Sequence, residues 1–130
     1  MSHLTEEQLA ELKETLEVQR RQLRQDIRDE LLRTDEEQYG ELAGQVHDSG
    51  DESVADLLSD INTAVISQSI KALREVEAAQ ERMREGYYGR CEDCEVEIPF
   101  ERLRAYPSAR RCITDQERFE KLHDEGTASI

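Results

Sequence analysis

The sequence predicts a mainly α-helical protein, in which a long antiparallel two-helix coiled-coil hairpin precedes a small cysteine-containing module and a short C-terminal helix. Three observations predict this class. Only 5% of the 130 residues are aromatic and none is Trp, which disfavours a wide globular core. In two long runs without Gly or Pro, apolar residues recur at helical spacing. From Gly86 onward the composition changes abruptly, because glycines, cysteines and prolines appear.

The first helix is predicted over 5–33, where neither Gly nor Pro occurs. Its apolar residues recur at spacings of three, four and seven and form one stripe: Leu9, Leu12, Leu16, Leu23, Ile27 and Leu31. Thr5 followed three residues later by Gln8 reads as a capping box. The start of this helix is therefore clearly signalled.

The next segment, 34–52, contains three glycines and lacks apolar periodicity, so we expect a loop or a broken helix. Its charge is one-sided, because residues 34–70 include nine acidic residues and no Lys or Arg. We therefore predict that 34–53 forms an acidic tip of the hairpin.

A second periodic run follows, whose predicted seam has alternating steps of four and three: Val54, Leu58, Ile61, Val65, Gln68, Ala72, Val76, Ala79 and Met83. A roughly twenty-residue connection lets it fold back antiparallel on the first run, which predicts arms of about 40–50 Å. An intermolecular coiled coil is the competing arrangement. We expect the hairpin to occupy 1–86 and the module, with a short helix over 116–122 and a frayed tail over 126–130, to occupy 87–130.

The module is too small to be stabilised by apolar burial alone, and its cysteines indicate a metal site. Cys91 and Cys94 form one Cys-x-x-Cys knuckle, and after seventeen intervening residues Cys112 opens a second that ends in Asp115. Paired knuckles at this distance are typical of structural zinc, and an Asp oxygen can replace the fourth sulfur. The sequence predicts a zinc-finger-like module with weaker, less selective binding than four thiolates give. Two alternatives stay open: His123 as fourth ligand, or three metal-free thiols packed as small apolar groups.

Composition excludes several classes of function. A net charge of −14 opposes binding of nucleic acid through phosphate neutralisation, so we expect no direct specific DNA binding. No leader-like segment or run of eighteen apolar residues occurs, which predicts a cytoplasmic protein without membrane contact and without structural disulfides. Neither a nucleophile arrangement nor a Gly-rich phosphate loop is present, and we expect no enzyme.

The stretch from Gly86 to Gln116 resembles the zinc finger of the DksA/TraR family. The shared features are the Gly-x-Tyr-Gly-x-Cys start, both knuckles, and Ile98, Arg102, Leu103, Ala105, Pro107, Ala109 and Gln116. The preceding hairpin also matches the family, so the resemblance covers nearly the whole chain. It implies a regulator that binds bacterial RNA polymerase, inserts the hairpin into the secondary channel and alters initiation of transcription.

The resemblance also implies which residues act. The family carries an Asp-x-x-Asp-x-Ala motif at the hairpin tip, and Asp48, Asp51 and Ser53 occupy the matching positions. Carboxylates suit a basic channel wall or a magnesium-bearing centre. This chain departs from the family at Ser53, which replaces Ala, at Asp115, which replaces Cys, and at Glu95, which replaces Gly.

A last departure concerns guanosine tetraphosphate. Positions that are basic in well-known members are Glu75, Tyr106 and Gln116 here, and a tetraphosphate needs cations, so we expect little or no response to it. The local basic excess, Arg102, Arg104, Arg110 and Arg111, could meet an acidic partner or a phosphate, or simply balance nearby acid. We expect a monomer. The alternative functions are a zinc- or redox-responsive thiol protein and a self-associating coiled-coil scaffold.

Overall fold

The computed structural model describes residues 3–33, 37–48, 50, 53, 54, 58 and 64–128, with side chains from 39 to 48 and from 66 to 122 in the later helices. Its five described helices are, in chain order, α1 (Glu6–Arg33), α2 (Glu37–Asp48), α3 (Ala64–Glu85), α4 (Phe100–Ala105) and α5 (Ile113–Ala128). Within these residues there is no β-strand, and the single β element is an isolated antiparallel bridge between Arg90 and Glu97. The predicted mainly helical class is confirmed.

The start of α1 follows the predicted capping box. The Thr5 backbone N–H donates to Gln8 Oε1, and the Gln8 N–H donates to Thr5 Oγ1, both at 3.0 Å. These two bonds satisfy backbone donors that a helix N-terminus otherwise leaves free. Glu6 and Glu7 lie in the first turn, where negative charge is favourable.

The helices α1 and α3 form the antiparallel hairpin, because early residues of α1 pack with late residues of α3. One buried cluster at the base joins hairpin and module: Leu4, Leu12, Leu16, Val76, Ala79, Tyr88, Ile98, Leu103 and Ala109. A second cluster lies at the distal half: Ile27, Leu31, Ala43, Val46, Val54, Leu58, Ile66, Ile70 and Leu73. The apolar seam is thus buried within one chain, as the two-helix arrangement requires.

The helix α2 is the main difference from the expectation. The inference that apolar periodicity fails over 34–52 is wrong, since Tyr39, Leu42, Ala43 and Val46 pack at helical spacing against the distal cluster. The two glycines inside α2, Gly40 and Gly44, do not break the helix, which is continuous from Glu37 to Asp48. The hairpin therefore carries a third helix on its distal half.

The folding back of α2 moves the acidic segment away from the hairpin end. Ser53 Oγ donates to Glu77 Oε1 at 3.3 Å, and Glu77 is the fourteenth residue of α3, about 20 Å from the start of that helix. Arg20, in the middle of α1, donates to the Gly50 carbonyl at 2.6 Å. In this conformation Asp48 and Ser53 lie beside the middle of the hairpin, and their role in a contact at its tip stays a prediction. Asp51 lies outside the described residues.

The module packs against the hairpin base around a few buried side chains. Pro99 precedes α4, Leu103 on α4 is fully buried, and the Tyr88 hydroxyl donates to the Pro107 carbonyl at 2.6 Å. The last helix, α5, begins at Ile113 and continues to Ala128, so it is longer than the predicted 116–122 and includes the first three residues of the predicted frayed tail over 126–130.

Among the described helices, none combines the length and apolar character needed to cross a bilayer.

Candidate functional site

The first knuckle of the metal site is a tight turn. The Glu95 N–H donates to the Cys91 carbonyl at 2.9 Å, and the Cys91 N–H donates to the Val96 carbonyl at 2.8 Å. Glu95 has a φ of 63°, the left-handed region that glycine adopts at least cost. This is the position where the resembling family has Gly, so Glu95 keeps the turn at the expense of backbone strain.

The second knuckle lies at the N-terminus of α5. The Gln116 N–H donates to the Cys112 carbonyl at 2.9 Å, which makes Cys112 part of the first turn. Asp115 lies in that turn, where a carboxylate interacts favourably with the helix dipole, and Arg118 approaches it at 3.7 Å. The helix therefore orients Asp115 toward the first knuckle.

The structure brings together all four sequence-predicted ligands. One ligand atom from each of Cys91, Cys94, Cys112 and Asp115 lies within 4.8 Å of the others. Cys94 Sγ and Cys112 Sγ are 3.8 Å apart, and Cys91 Sγ lies 3.0 Å from Asp115 Oδ2. Zinc–sulfur bonds of about 2.3 Å at tetrahedral angles separate two sulfurs by about 3.8 Å. The four groups therefore fit zinc in a tetrahedral site.

The thiols and the carboxylate already interact through hydrogen bonds. The hydrogen bond to Asp115 stabilises the protonated thiol and raises the pKa of Cys94 to about 12. Bonds from Cys94 and Cys91 lower the pKa of Asp115. Asp115 thus carries the negative charge that a fourth thiolate would carry.

Exposure argues against one of the two alternatives for this site. Cys91 is buried, but Cys94 is exposed and Cys112 is only partly buried. Three thiols packed as small apolar groups would all be shielded, so that description does not fit. The side chain of His123, the other alternative ligand, lies outside the part of the chain that the structure describes.

The basic residues near the module are mostly engaged inside it. Arg111 is held by Glu92 and Asp93, each at 2.7 Å, and its guanidinium lies 4.0 Å from the centre of the Phe119 ring. Two others of the predicted basic group make internal contacts as well: Arg102 donates to the Arg111 carbonyl at 3.2 Å, and Arg104 approaches Glu11 at 3.8 Å. These three arginines therefore pair with nearby carboxylates or donate to a backbone carbonyl. Arg110 differs from these three, because its buried Nε has no hydrogen-bond partner among the described residues.

The acidic segment is anchored by residues that the sequence pattern did not single out. Arg24 donates to the Val46 carbonyl at 2.5 Å and also to the Gly50 carbonyl, which Arg20 shares. On the other side, Glu77 accepts from the Ser53 hydroxyl and, at 3.2 Å, from the Val54 N–H. Asp48 is exposed between these anchors. The sequence carried one signal of this anchoring, because Arg20 lies within the apolar stripe of α1. The structure shows that this arginine is buried.

The comparisons with known proteins agree with this architecture. The sequence profile of the prokaryotic dksA/traR C4-type zinc finger matches residues 86–121. The solved structure of transcription factor DksA2 from Pseudomonas aeruginosa superposes with a TM-score of 0.60 at 26% identity, covering 94% of this chain and 90% of that one. The chain is therefore a DksA-like protein: its module over 86–121 matches the dksA/traR zinc finger, its fold is similar to that of DksA2, and zinc is the metal that the module fits.

Two relatives from Bacillus subtilis are longer proteins. General stress protein 16O is 36% identical over 85 residues, which cover 62% of this chain and 50% of that protein. The uncharacterized protein YteA is 33% identical over 115 residues, covering 82% of this chain and 46% of that protein. The chain thus spans about half the length of these two relatives.

Proposed function

We propose that the chain regulates transcription by binding bacterial RNA polymerase, with the helical hairpin entering the secondary channel. The observation that carries this proposal is the likeness to the transcription factor DksA2 across 94% of the chain. Hairpin, base cluster and module are all included in that likeness. The proposed action is regulatory contact without catalysis and without specific DNA binding, by a monomer in the cytoplasm, where the polymerase works.

The charge of the hairpin supports a basic or metal-bearing partner surface. Residues 34–70 carry nine carboxylates and no cation, and the whole chain has a net charge of −14. Such a surface is attracted to basic channel walls and to bound magnesium, where oxygen ligands are favoured. Asp48, Asp51 and Ser53 are the residues proposed to make this contact.

The position of the acidic segment adds a condition to the proposal. In this conformation a partner meets Asp48 on the side of the hairpin, because Arg20 and Arg24 hold Gly50 against α1. Presentation of the segment at the hairpin end requires these bonds to open. The proposed binding therefore competes with the anchoring of α2.

The proposed weak response to guanosine tetraphosphate is supported by the groups at the three diagnostic positions. The Tyr106 hydroxyl donates to Glu75 Oε2 at 3.3 Å, and Gln116 donates to Glu120 at 3.1 Å. Arg102 lies 5.8 Å from the centre of the Tyr106 ring, but it is already bonded to the Arg111 carbonyl. A carboxylate at Glu75 repels a tetraphosphate.

The proposed zinc ligands are Cys91, Cys94, Cys112 and Asp115. Replacing Asp115→Asn removes the negative charge at nearly constant size and should weaken zinc binding, whereas Asp115→Cys should strengthen it, because a thiolate is the softer ligand. Zinc affinity is measured by competition with a chromogenic chelator. Equal affinity of Asp115→Asn and the unaltered chain would exclude Asp115 as a ligand.

The polymerase proposal is tested by binding of the purified chain to bacterial RNA polymerase and by transcription in vitro. We expect binding that a known secondary-channel factor competes away. The double variant Asp48→Asn/Asp51→Asn should remain folded and lose its effect on transcription, because it removes two carboxylates from the proposed contact.

The matched control is Asp26→Asn/Asp29→Asn. It removes the same number of charges from exposed positions on α1, where both carboxylates accept only from nearby Gln side chains. This control should retain its effect on transcription. Full activity of the Asp48/Asp51 variant would contradict the proposed contact, and absence of polymerase binding would contradict the function.

A further inference from the structure

Arg111 connects the two knuckles of the metal site through its side chain. It directly precedes Cys112 in the second knuckle, and it contacts the two residues that lie between the cysteines of the first. Its Nη2 lies 2.7 Å from Glu92 Oε1, and its Nε donates to Asp93 Oδ2 at 2.7 Å. The Arg111 side chain is only 13% exposed, which strengthens these charge-assisted bonds. Arg111, Glu92 and Asp93 together form a clamp between the knuckles.

The side chain of Arg111 is itself held in place by an aromatic ring. Its guanidinium lies 4.0 Å from the centre of the Phe119 ring, a distance at which a cation is attracted to the aromatic face. Phe119 lies on α5, about one turn after Asp115, the oxygen among the proposed ligands. Arg111 therefore contacts both the first knuckle and the helix that carries Asp115.

Backbone groups next to the clamp support it. The Glu92 N–H donates to the Arg110 carbonyl at 2.8 Å, and Arg102 Nε donates to the Arg111 carbonyl at 3.2 Å. Each knuckle is also closed by backbone bonds of its own, but bonds within one knuckle do not fix its distance from the other. The clamp and the Glu92 bond are contacts that do.

The distance between the knuckles matters because ligands come from both. The first supplies the sulfurs of Cys91 and Cys94, and the second supplies one sulfur and the Asp115 carboxylate. A carboxylate oxygen is a harder ligand than a thiolate, so this site gains more from ligands that are held in place. Residues that orient metal ligands change metal affinity about 10- to 100-fold, whereas an exposed ion pair by itself contributes little to stability. The main effect of the clamp should therefore be on the metal site.

We propose that Arg111 is a positioning residue of the zinc site. Its side chain holds the two knuckles at the separation at which three sulfurs and the Asp115 carboxylate converge. It acts through Glu92 and Asp93 and is not a ligand, because a guanidinium is a donor without an acceptor lone pair. The inference rests on the proposed zinc ligands and does not depend on polymerase binding.

The test compares the unaltered chain with Arg111→Gln, each loaded with zinc or with cobalt. Zinc affinity, measured by competition with a chromogenic chelator, should fall about tenfold or more. The visible absorption bands of bound Co²⁺ report the geometry of its ligands, and they should change in Arg111→Gln. Unchanged zinc affinity would overturn the proposal. An unchanged cobalt spectrum would overturn it as well, because a merely structural role alters stability without altering ligand geometry.

Two controls separate positioning from general effects of charge and stability. Arg104→Gln removes another arginine of the module, whose carboxylate partner, Glu11, belongs to α1. Ile98→Val shortens a fully buried side chain of the base cluster and lowers the stability of the module. Both variants should keep the cobalt spectrum of the unaltered chain. A spectral change in either one that equals the change in Arg111→Gln would overturn the role of Arg111.

The conservative variant Arg111→Lys distinguishes the clamp from its charge. Lysine keeps the positive charge, but its single ammonium group lacks the planar fork that donates to two carboxylates at once. Arg111→Lys should therefore bind zinc at least about threefold more weakly than the unaltered chain. Full affinity in this variant would show that charge alone is sufficient, and the clamp would be excluded.

The double variant Glu92→Ala/Asp93→Ala tests the clamp from its other side, because it leaves Arg111 in place. It should itself lower zinc affinity about tenfold. Adding Arg111→Gln should then cost less than about threefold more, since residues that act through one contact are not additive. An undiminished loss would show that Arg111 acts through another contact, such as Phe119, and would overturn the proposal.

A measurement on the unaltered, zinc-loaded chain does not depend on the folding of any variant. Arg111 Nε–H, bonded to Asp93, should exchange slowly with solvent, whereas Arg104 Nε–H, 3.8 Å from Glu11, should exchange rapidly. Rapid exchange at Arg111 would overturn the proposal. Failure of the proposed ligands would be seen separately, as zinc binding that survives Cys112→Ser, and it would overturn the positioning role as well.

Discussion

The distal half of the hairpin and the module maintain their structures in different ways. The distal cluster contains nine buried residues from α1, α2, α3 and the segment between them, including Ile27, Leu31 and Leu73. The module contributes only four residues to a cluster that it shares with the hairpin base: Tyr88, Ile98, Leu103 and Ala109. Apolar burial suffices in the first region, whereas the second depends on the four ligands around one point.

The two regions show where a small protein needs a metal. Long helices can bury a continuous stripe along their whole length, so each added turn adds apolar burial. A module of some thirty-five residues has too high a ratio of surface to volume for that solution.

The largest effect is expected from Cys112→Ser. Loss of one thiolate should release zinc and unfold the module while leaving the distal hairpin intact, because structural zinc contributes about 10–16 kcal/mol in zinc-finger peptides. Hydrogen exchange reports this directly: the Ile98 and Leu103 N–H groups, bonded to Gly89 and Pro99, should lose protection. Thr114→Ser, at an exposed neighbouring position, is the control. Unchanged protection without zinc would show that burial alone holds the module.

Ile27→Ala tests the distal half of the hairpin. Ile27 is fully buried in the distal cluster, so truncation should lower the free energy of unfolding of the hairpin by about 2–5 kcal/mol. Urea denaturation followed by circular dichroism measures the change. Val18→Ala, on the same helix at a 49% exposed position, should change it by less than about 0.5 kcal/mol. A parallel fall in zinc affinity in Ile27→Ala would show that hairpin and module fold as one unit.

Arg24→Gln addresses the attachment of α2. This variant loses the charged donors to the Val46 and Gly50 carbonyls, which should cost about 1–2 kcal/mol and speed hydrogen exchange within α2. Arg28→Gln, one turn along α1, should leave exchange unchanged. Under the proposed function, Arg24→Gln should also bind polymerase more tightly, since α2 is released more easily. Slower or equal exchange would mean that apolar packing alone holds α2.

The smallest effect is expected from Glu95→Gly. Glycine adopts a φ of 63° without the crowding of a Cβ, so the free energy of unfolding of the module should rise by about 1 kcal/mol. Thermal unfolding of the zinc-loaded chain measures the gain. Glu95→Ala keeps a Cβ and should not raise the free energy of unfolding in this way. If both variants stabilise equally, the effect comes from removal of the charge and not from the backbone.

Much of the fold was predictable because it depends on local signals. The capping box at Thr5 and Gln8 formed as expected, and the apolar stripe of α1 identified its buried residues. The stripe predicted for α3 was wrong in the first half of the helix, where Gln68 is exposed and Ile66, Ile70 and Leu73 are buried. The metal site was predictable for a related reason, since each knuckle brings two ligands together within a few residues. Only the joining of the two knuckles required the fold.

The acidic segment was not predictable in the same way. The apolar residues of α2 occupy one short helix interrupted by Gly40 and Gly44, a pattern too brief to stand out beside the long stripes. The direction of α2 depends on hydrogen bonds that the Val46 and Gly50 carbonyls accept from an arginine some twenty-five positions earlier in the chain, Arg24. No local pattern encodes that pairing.

The sequence was sufficient for the helical class, the start of α1, its apolar stripe and the two pairs of candidate ligands, because each follows from residues within one or two turns of each other. The position of Asp48 and Ser53 beside the middle of the hairpin, and that of Arg110 near Arg82, required the tertiary structure. Both outcomes come from contacts between distant segments, in which backbone carbonyls and desolvated charges, rather than apolar periodicity, determine the arrangement.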